Sequence, residues 1–176
     1  HYLNAYAEAF GHTDRDLWNY EDGCVLMGCQ QLYQATGDRK YLDFILNYLE
    51  PLITDDGTIT NFEFGKHNID GFNAGKVLFL AYEESKNEKY RKAIDFLIKN
   101  LMEQPRTKEG NFFHKAIYPN QVWLDGLYMA EPFKTEYLRR FGGGKSGIDR
   151  KHGYEDIVHQ FVLVAEKPYD PATGLF

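Results

Sequence analysis

The sequence is poor in cysteine, and this shortage bears on the cellular compartment of the protein. Only two of its 176 residues are cysteine, Cys24 and Cys29, and both lie on one predicted helix. Five helical positions turn through roughly 140°, too far for a local disulfide, so we expect both thiols to be free and buried. Free thiols favour a reducing compartment, and we therefore expect a cytoplasmic protein, with the periplasm as the alternative.

The sequence also lacks a long apolar run and any cluster of basic residues. No stretch of about 18 apolar residues occurs, so no transmembrane helix is expected. The net charge is −6 and the Lys and Arg residues are dispersed, which argues against nucleic acid and membranes as partners. An anionic small substrate stays open, because one nearby Lys or Arg can outweigh the overall charge.

A signal peptide is missing as well. The chain begins at His1 rather than at Met, so we expect that something upstream of His1 is absent from this sequence. The missing signal therefore does not exclude export.

Aromatic side chains are abundant, with 13 Tyr and 13 Phe. One interpretation is a bulky helical core, because buried aromatic area dominates core energetics. The other is a set of flat platforms for sugar rings. Composition leaves both interpretations open.

Apolar residues recur with the period of a helix, and strand-like alternation is scarce. The pattern predicts three pairs of helices, at 22–35 with 39–48, 69–84 with 88–102, and about 121–141 with 149–166. A further helix is expected at 2–10. We expect Gly75 to be tolerated inside its helix and Pro132 to kink the helix predicted at about 121–141.

An Asp-Gly pair opens the first helix of each pair, at spacings of 48 and 55 residues: Asp22-Gly23, Asp70-Gly71 and Asp125-Gly126. Repeated helical hairpins fit an open solenoid or an α/α toroid. Long loops lead into the second and third Asp-Gly pairs, and loops gathered on one face favour an active-site mouth. The toroid is therefore preferred, with the carboxylates meeting at its rim.

The three aspartates differ in how strongly they suggest chemistry. Asp125 and Asp70 also fit ordinary first-turn acids favoured by the helix dipole, and for Asp22 this structural role is preferred. Around Asp125, however, Trp123 and Tyr128 lie on an otherwise buried helix. Two converging carboxylates can divide acid and base roles when burial and mutual repulsion raise one pKa. The helix dipole lowers both pKa values, so the outcome stays open.

The loop before Asp125 adds two further candidates, His114 and Lys115. A loop histidine is often an ordinary surface residue, but this one lies among aromatic residues. Lys115 could supply local positive charge for an acidic sugar. His67 is a weaker candidate. No close ligand pair such as His-x-x-x-His occurs, so a metal site is not expected.

Several short strings resemble one family when taken together: Trp18-Asn19-Tyr20, Asn68-Ile69-Asp70, His114-Lys115, Trp123-Leu124-Asp125-Gly126-Leu127-Tyr128-Met129 and Pro132-Phe133. The chain resembles the unsaturated rhamnogalacturonyl hydrolases, glycoside hydrolase family 105, over nearly its whole length. The resemblance implies an all-α fold of repeated helical hairpins, the (α/α)6 barrel or six-hairpin toroid. This chain supplies about three hairpins, so we expect residues 1–176 to form one partial domain, the N-terminal half of the barrel, which self-associates through its exposed edges.

The resemblance also implies a reaction. Such enzymes remove an unsaturated galacturonyl residue from a lyase-generated pectin fragment by hydrating its C4=C5 double bond, and no metal or cofactor is implied. Asp125 matches the general acid/base and Asp70 the second carboxylate. Positions that match the substrate pocket are His114, Lys115, Trp123, Met129 and Tyr20. A non-catalytic carbohydrate-binding fragment and another toroid enzyme, such as an epimerase working with histidines, remain alternatives.

Overall fold

The computed structural model describes residues 18–143, 147–166 and 170–174. Its α-helices are α1 (Tyr20–Thr36), α2 (Arg39–Leu49), α3 (Phe72–Gly75), α4 (Leu78–Ser85), α5 (Glu88–Met102), α6 (Leu124–Phe141) and α7 (Arg150–Glu166), with a 3-10 turn at Ile69–Gly71. Within these described ranges, β structure is limited to isolated bridges. The predicted all-α class is confirmed, while the helix expected at 2–10 lies outside the described residues.

The predicted helix ends are close to the observed ones where capping residues are strong. The side chain of Asn19 accepts a hydrogen bond from the amide of Asp22, so α1 begins two residues earlier than expected. Gly37 ends that helix in the left-handed conformation, with φ of 70°. Trp123 is extended, so α6 begins later than predicted. Pro132 lies inside α6 without ending it.

The prediction of one continuous helix over 69–84 is wrong. The chain there forms the 3-10 turn, then α3, and then α4, with a break at Lys76 and Val77. At the break the amide of Lys76 bonds the carbonyl of Asn73, three residues back, at 3.4 Å. This three-residue bond replaces the regular helical one at the break.

The chain divides into two compact units, and each is described by itself. The first comprises His1–Glu63 with Asn73–Leu97, and the second comprises Phe64–Phe72 with Ile98–Phe176. The expectation of one partial domain stays a prediction. No helix among the described residues combines the length and the apolar character that a membrane crossing requires.

In the first unit α1 packs against α2, and α2 contacts α4. Asp22 is fully buried there and accepts a hydrogen bond from the Tyr48 hydroxyl at 3.1 Å. The same hydroxyl accepts a bond from the amide of Trp18 at 2.9 Å. These bonds tie the start of α1 to α2, which agrees with the structural role preferred for Asp22.

The two cysteines differ in exposure, which corrects one expectation. Both are free, but Cys24 is exposed and only Cys29 is buried. The rotation of roughly 140° that separates them on a helix places one thiol outside and the other inside.

Gly23 lies where α1 approaches α3 most closely, and its replacement tests this packing. A Cβ atom at this position would lie 2.6 Å from the carbonyl carbon of Asn73 and 2.7 Å from the amide nitrogen of Ala74. Backbone atoms cannot rotate away, so Gly23→Ala should lower the free energy of unfolding by about 1–3 kcal/mol. Urea denaturation measures this change.

Gly28 on the same helix provides the matched control. No heavy atom lies within 4 Å of a Cβ built there. Gly28→Ala should therefore stabilise the chain by roughly 0.5–1 kcal/mol, because alanine loses less backbone entropy on folding. Equal effects of the two substitutions would contradict the close approach at Gly23.

In the second unit α6 packs against α7 and against the 3-10 turn. The rings of Phe72 and Phe133 meet in the core with centroids 5.9 Å apart. A charged cluster joins the two helices: Asp156 on α7 receives both guanidinium ends of Arg106, at 2.6 and 2.8 Å, and also pairs with Lys134 on α6. The 3-10 turn brings Asp70 to the start of α6.

Candidate functional site

Backbone pairing holds the 3-10 turn against the loop that precedes α6. The amide of Ile69 bonds the carbonyl of His114 at 3.0 Å, and Asn68 forms an antiparallel bridge with Lys115. The Asn68 side chain also accepts the amide of Asp70 at 3.1 Å, which sets the turn. Two segments that are more than forty residues apart in sequence therefore place Asp70, His114 and Lys115 together.

Asp70 is an ionised carboxylate held by an imidazole and an ammonium group. Its side chain is 13% exposed, with Oδ1 2.9 Å from His114 Nε2 and Oδ2 2.7 Å from Lys115 Nζ. Burial works to raise the pKa of Asp70, but the contacts with His114 and Lys115 outweigh it and hold the pKa below the ordinary value of 3.8. For Asp70 the surroundings therefore favour the ionised form of the carboxyl group.

His114 lies between the two predicted catalytic carboxylates. Its side chain is 1% exposed, with Nε2 toward Asp70 and Nδ1 4.0 Å from Asp125 Oδ1. The Nε2 atom is 2.9 Å from Asp70 Oδ1, although neither ring nitrogen has a well-aligned hydrogen bond to the described residues. Because the ring contacts Asp70 and approaches Asp125, a change in its charge acts on both carboxylates.

Aromatic stacking covers the other side of the His114 ring. Trp123 stacks on it with centroids 4.3 Å apart and planes at 14°, and Tyr118 stacks beyond Trp123 at 5.8 Å. The indole nitrogen of Trp123 donates to the Gln121 side chain at 3.1 Å. Trp123 and Tyr118 are both exposed in part, so the stack presents an aromatic edge to solvent. Such an edge suits contact with the apolar face of a sugar ring.

Asp125 differs from Asp70 in its exposure. It lies in the first turn of α6, and its side chain is 53% exposed. Gly126 follows it, and a Cβ there would lie 3.0 Å from His114 Nδ1. The glycine therefore lets the imidazole lie directly against the start of the helix, beside a carboxylate that is exposed to solvent.

Gly126→Ala tests whether this approach matters for function. The added methyl group should displace the His114 ring by a few tenths of an ångström. We expect the longest natural form of the protein to lose about tenfold in kcat/KM, since small misplacements near a reaction centre are costly. Gly28→Ala, which meets no atom within 4 Å, should leave kcat/KM unchanged. If both variants have the same kcat/KM as the parent protein, the placement of the His114 ring against α6 does not matter for activity.

The remaining predicted substrate contacts are placed as follows. Tyr20 is the first residue of α1 in the first unit, where its ring is exposed and its carbonyl accepts from the Asn73 side chain at 2.7 Å. Met129 is buried on α6 in the second unit. The roles predicted for Tyr20, Met129, Lys115 and the two aspartates stay predictions.

Three of these groups could also meet around a cation. Ligand atoms of Asp70, His114 and Asp125 all lie within 4.8 Å of one another. However, Lys115 already pairs with Asp70, and its ammonium repels a cation at the same place. This donor set fits a metal poorly, and the absence of a metal stays a prediction.

Sequence reasoning missed two features of this site. The sequence does not distinguish Tyr118 from the many other aromatic residues, and only the fold shows its stacking on Trp123. Glu131 is buried behind the site on α6. A signal for it existed, because a charged residue stands between Ala130 and Phe133 on an apolar helix face.

Comparisons with known proteins identify the family and the fold. Residues 3–176 match the family model described as Glycosyl Hydrolase Family 88. The chain is similar to a solved glycoside hydrolase from family 105 of C. acetobutylicum ATCC 824, with 41% identity and a TM-score of 0.84, over 99% of this chain and 46% of that one.

Two solved possible members of family 105, from Klebsiella pneumoniae and Salmonella enterica, each share 24% identity and support the fold alone. Their TM-score is 0.68, over 90% of this chain and 39% of theirs. The chain thus spans less than half the length of these structures. The resemblance to family 105 and the predicted toroid class are confirmed. The family match over nearly all of its residues shows that this chain belongs to glycosyl hydrolase family 88.

Proposed function

We propose that the protein containing this chain releases unsaturated galacturonyl residues from rhamnogalacturonan fragments by hydrating the C4=C5 double bond. One observation carries the proposal: His114 is held between the ionised Asp70 and the exposed Asp125, beside a solvent-facing aromatic edge. Membership of a glycoside hydrolase family supports the reaction class. The motif resemblance supports the choice of the unsaturated sugar.

The exposure of Asp125 supports assigning to its carboxyl the exchange of a proton with substrate. In the proposed reaction Asp125 donates a proton to C4 and water adds to C5, losing a proton to the carboxylate. The net change is the addition of one water across the double bond. The hemiketal formed at C5 then opens and the neighbouring sugar leaves. A single positioned acid is enough for this chemistry, so the second carboxylate need not be a nucleophile.

The surroundings of Asp125 suit an acidic sugar. Lys115 is partly exposed beside Asp70, and its ammonium lies 5.9 Å from the Trp123 ring centroid. A uronate ring stacked on the aromatic edge would have its carboxylate near this cation. We assign Lys115 to the sugar carboxylate and Trp123 to the sugar face. Asp70 keeps Lys115 and His114 in place.

Turnover of a matched pair of disaccharides tests the proposal. The longest natural form of the protein should remove the ultraviolet absorbance of an unsaturated galacturonyl-rhamnose disaccharide and leave the saturated counterpart intact. In deuterated water, one deuterium should appear at C4 of the released sugar. Cleavage of the saturated disaccharide at an equal rate would show an ordinary glycosidase. No reaction with the unsaturated one would refute the proposal.

A non-catalytic carbohydrate-binding role is the second candidate, and the exposed stack of Tyr118 and Trp123 favours it. It predicts that Asp125→Asn leaves ligand affinity intact and that no form of the protein turns over the unsaturated sugar. The epimerase alternative is disfavoured. It needs histidines in contact with substrate, whereas His114 is fully buried beneath Trp123.

We also expect this chain to associate with further copies of itself. Val158, Phe161 and Val162 are exposed on one stripe of α7, at the spacing of neighbours on a helix face. Exposed apolar patches promote association. Changing all three to serine should lower the sedimentation coefficient at high protein concentration. Ile117→Ser, at an exposed loop position outside α7, is the control. A triple variant that sediments like the parent would contradict this expectation.

A further inference from the structure

Glu131 is a buried carboxyl group that the proposed reaction does not use. It lies on α6, two turns after the start of the helix, and is 2% exposed. Neither of its oxygens has a hydrogen-bond partner among the described residues. The nearest ion-pair contact is Lys134 Nζ, 3.9 Å from Oε2. A buried carboxylate without hydrogen bonds is unfavourable in free energy, so the position of Glu131 requires a physical explanation.

The charged groups around Glu131 do not neutralise it. Lys134 on the same helix is buried and pairs closely with Asp156 of α7. Asp156 also accepts hydrogen bonds from both guanidinium nitrogens of Arg106, which lies in the loop between α5 and α6. Burial therefore raises the pKa of Glu131 to about 7, with Asp156 adding to the rise and Lys134 and Arg106 opposing it. At neutral pH the protonated and ionised forms are thus close in free energy.

Glu131 opens onto the same small cleft as His114. The cleft also has walls of apolar and amide side chains, contributed by Ile69, Phe112, Val122, Trp123, Leu127 and Gln160. About 10 Å³ of it admits a water-sized molecule, which is close to the room that one buried water requires. Two of the lining residues have buried polar atoms without an aligned hydrogen bond to the described residues: the carboxyl oxygens of Glu131 and the ring nitrogens of His114.

We propose that Glu131 is a positioning residue that shares a proton with His114 through one buried water in this cleft. The proton moves from the carboxyl to the water while a proton of the water moves to Nδ1 of His114. This leaves a carboxylate beside Lys134 and an imidazolium beside Asp70, and total charge is conserved. Glu131 thereby controls the charge that Asp70 and Asp125 face across His114. Its consequence for turnover rests on the proposed function, but the shared proton does not.

Nuclear magnetic resonance of this chain tests the shared proton without any substrate. In protein labelled at the glutamate carboxyl carbons and the histidine ring nitrogens, the Glu131 carboxyl should titrate at a pH of about 7. The His114 nitrogens should shift in the same step. A Glu131 carboxyl that titrates in the ordinary range of glutamate, or His114 signals that do not follow it, would overturn the proposal.

Two glutamine variants separate this role from simple packing. Glu131→Gln keeps the shape but carries no exchangeable acid proton, so the step in the His114 signals should disappear while the fold is retained. Glu136→Gln, on the same helix and ion-paired with Arg139 and Arg140, should keep the step. If Glu131→Gln does not fold, the titration of the Glu131 carboxyl in the parent protein still tests the shared proton.

Activity distinguishes failure of this inference from failure of the proposed function. In the longest natural form, Glu131→Gln should remove the limb of the kcat/KM profile near pH 7 and lower kcat/KM by no more than about tenfold. A profile that keeps this limb contradicts the shared proton even when hydration occurs. Loss of hydration in every variant and in the parent contradicts the proposed function, while the titration result stands.

Discussion

Asp125→Asn should reduce kcat for hydration of the unsaturated sugar by about 10²–10⁴-fold, which is the usual contribution of a general acid or base. Asparagine keeps the size of the side chain but has no proton to deliver to C4. The side chain is 53% exposed, so the change should hardly affect stability. KM should change little, because the lost interaction belongs to the transition state. Steady-state rates in the longest natural form of the protein, followed by ultraviolet absorbance, measure the effect.

Asp43→Asn is the matched control for this prediction. Asp43 is a similarly exposed helical aspartate that pairs with Arg39 at 3.5 Å, and it lies in the first unit. Its replacement should leave kcat and KM unchanged. If kcat falls no more in Asp125→Asn than in Asp43→Asn, Asp125 is not the general acid of the reaction.

The largest loss of stability is expected for Asp156→Asn. Asp156 neutralises Arg106 and Lys134, and Lys134 is almost completely buried. Removing the carboxylate leaves the Lys134 ammonium buried without its close partner, which costs about 3–5 kcal/mol in the free energy of unfolding. Urea denaturation at neutral pH measures this change.

Glu155→Gln, at the adjacent position of α7, is the control for Asp156→Asn. Glu155 is exposed and pairs with Lys151 at 3.7 Å, so its replacement should cost less than about 0.5 kcal/mol. A similar loss for both variants would show that the burial of Lys134 is not the cause.

The same aspartate predicts an acid-dependent loss of stability. The contacts with Arg106 and Lys134 outweigh burial and lower the pKa of Asp156 from the ordinary 3.8 to about 2. A folded-state pKa below the unfolded one adds stability that is complete above about pH 4 and is lost as the pH falls toward 2. The difference is worth about 2 kcal/mol. The Asp156→Asn variant should lack this part of the pH dependence, and an unchanged slope in acid would contradict it.

Local sequence was enough to predict most of the helices. The range 88–102 was predicted at its observed ends because an amphipathic pattern and a preceding turn act within one or two helical turns. The helix over 69–84 could not be predicted in the same way. Near its interruption at Lys76 and Val77, Asn73 lies against Gly23 of α1, and such a contact between distant positions leaves no local pattern.

For the site, the Asp-Gly repeat and the motif around Trp123 were sufficient to select Asp70, His114 and Asp125 as candidates. They could not indicate that Asp70 is ionised. Its pKa is set by His114 and Lys115, which a backbone pairing from another segment brings within 3 Å of its carboxylate. Nor could they show Glu131 and His114 opening onto one cleft. Helical period and capping act between neighbouring residues and can be read in order along the chain, whereas burial and charge act through space and exist only once the chain has folded.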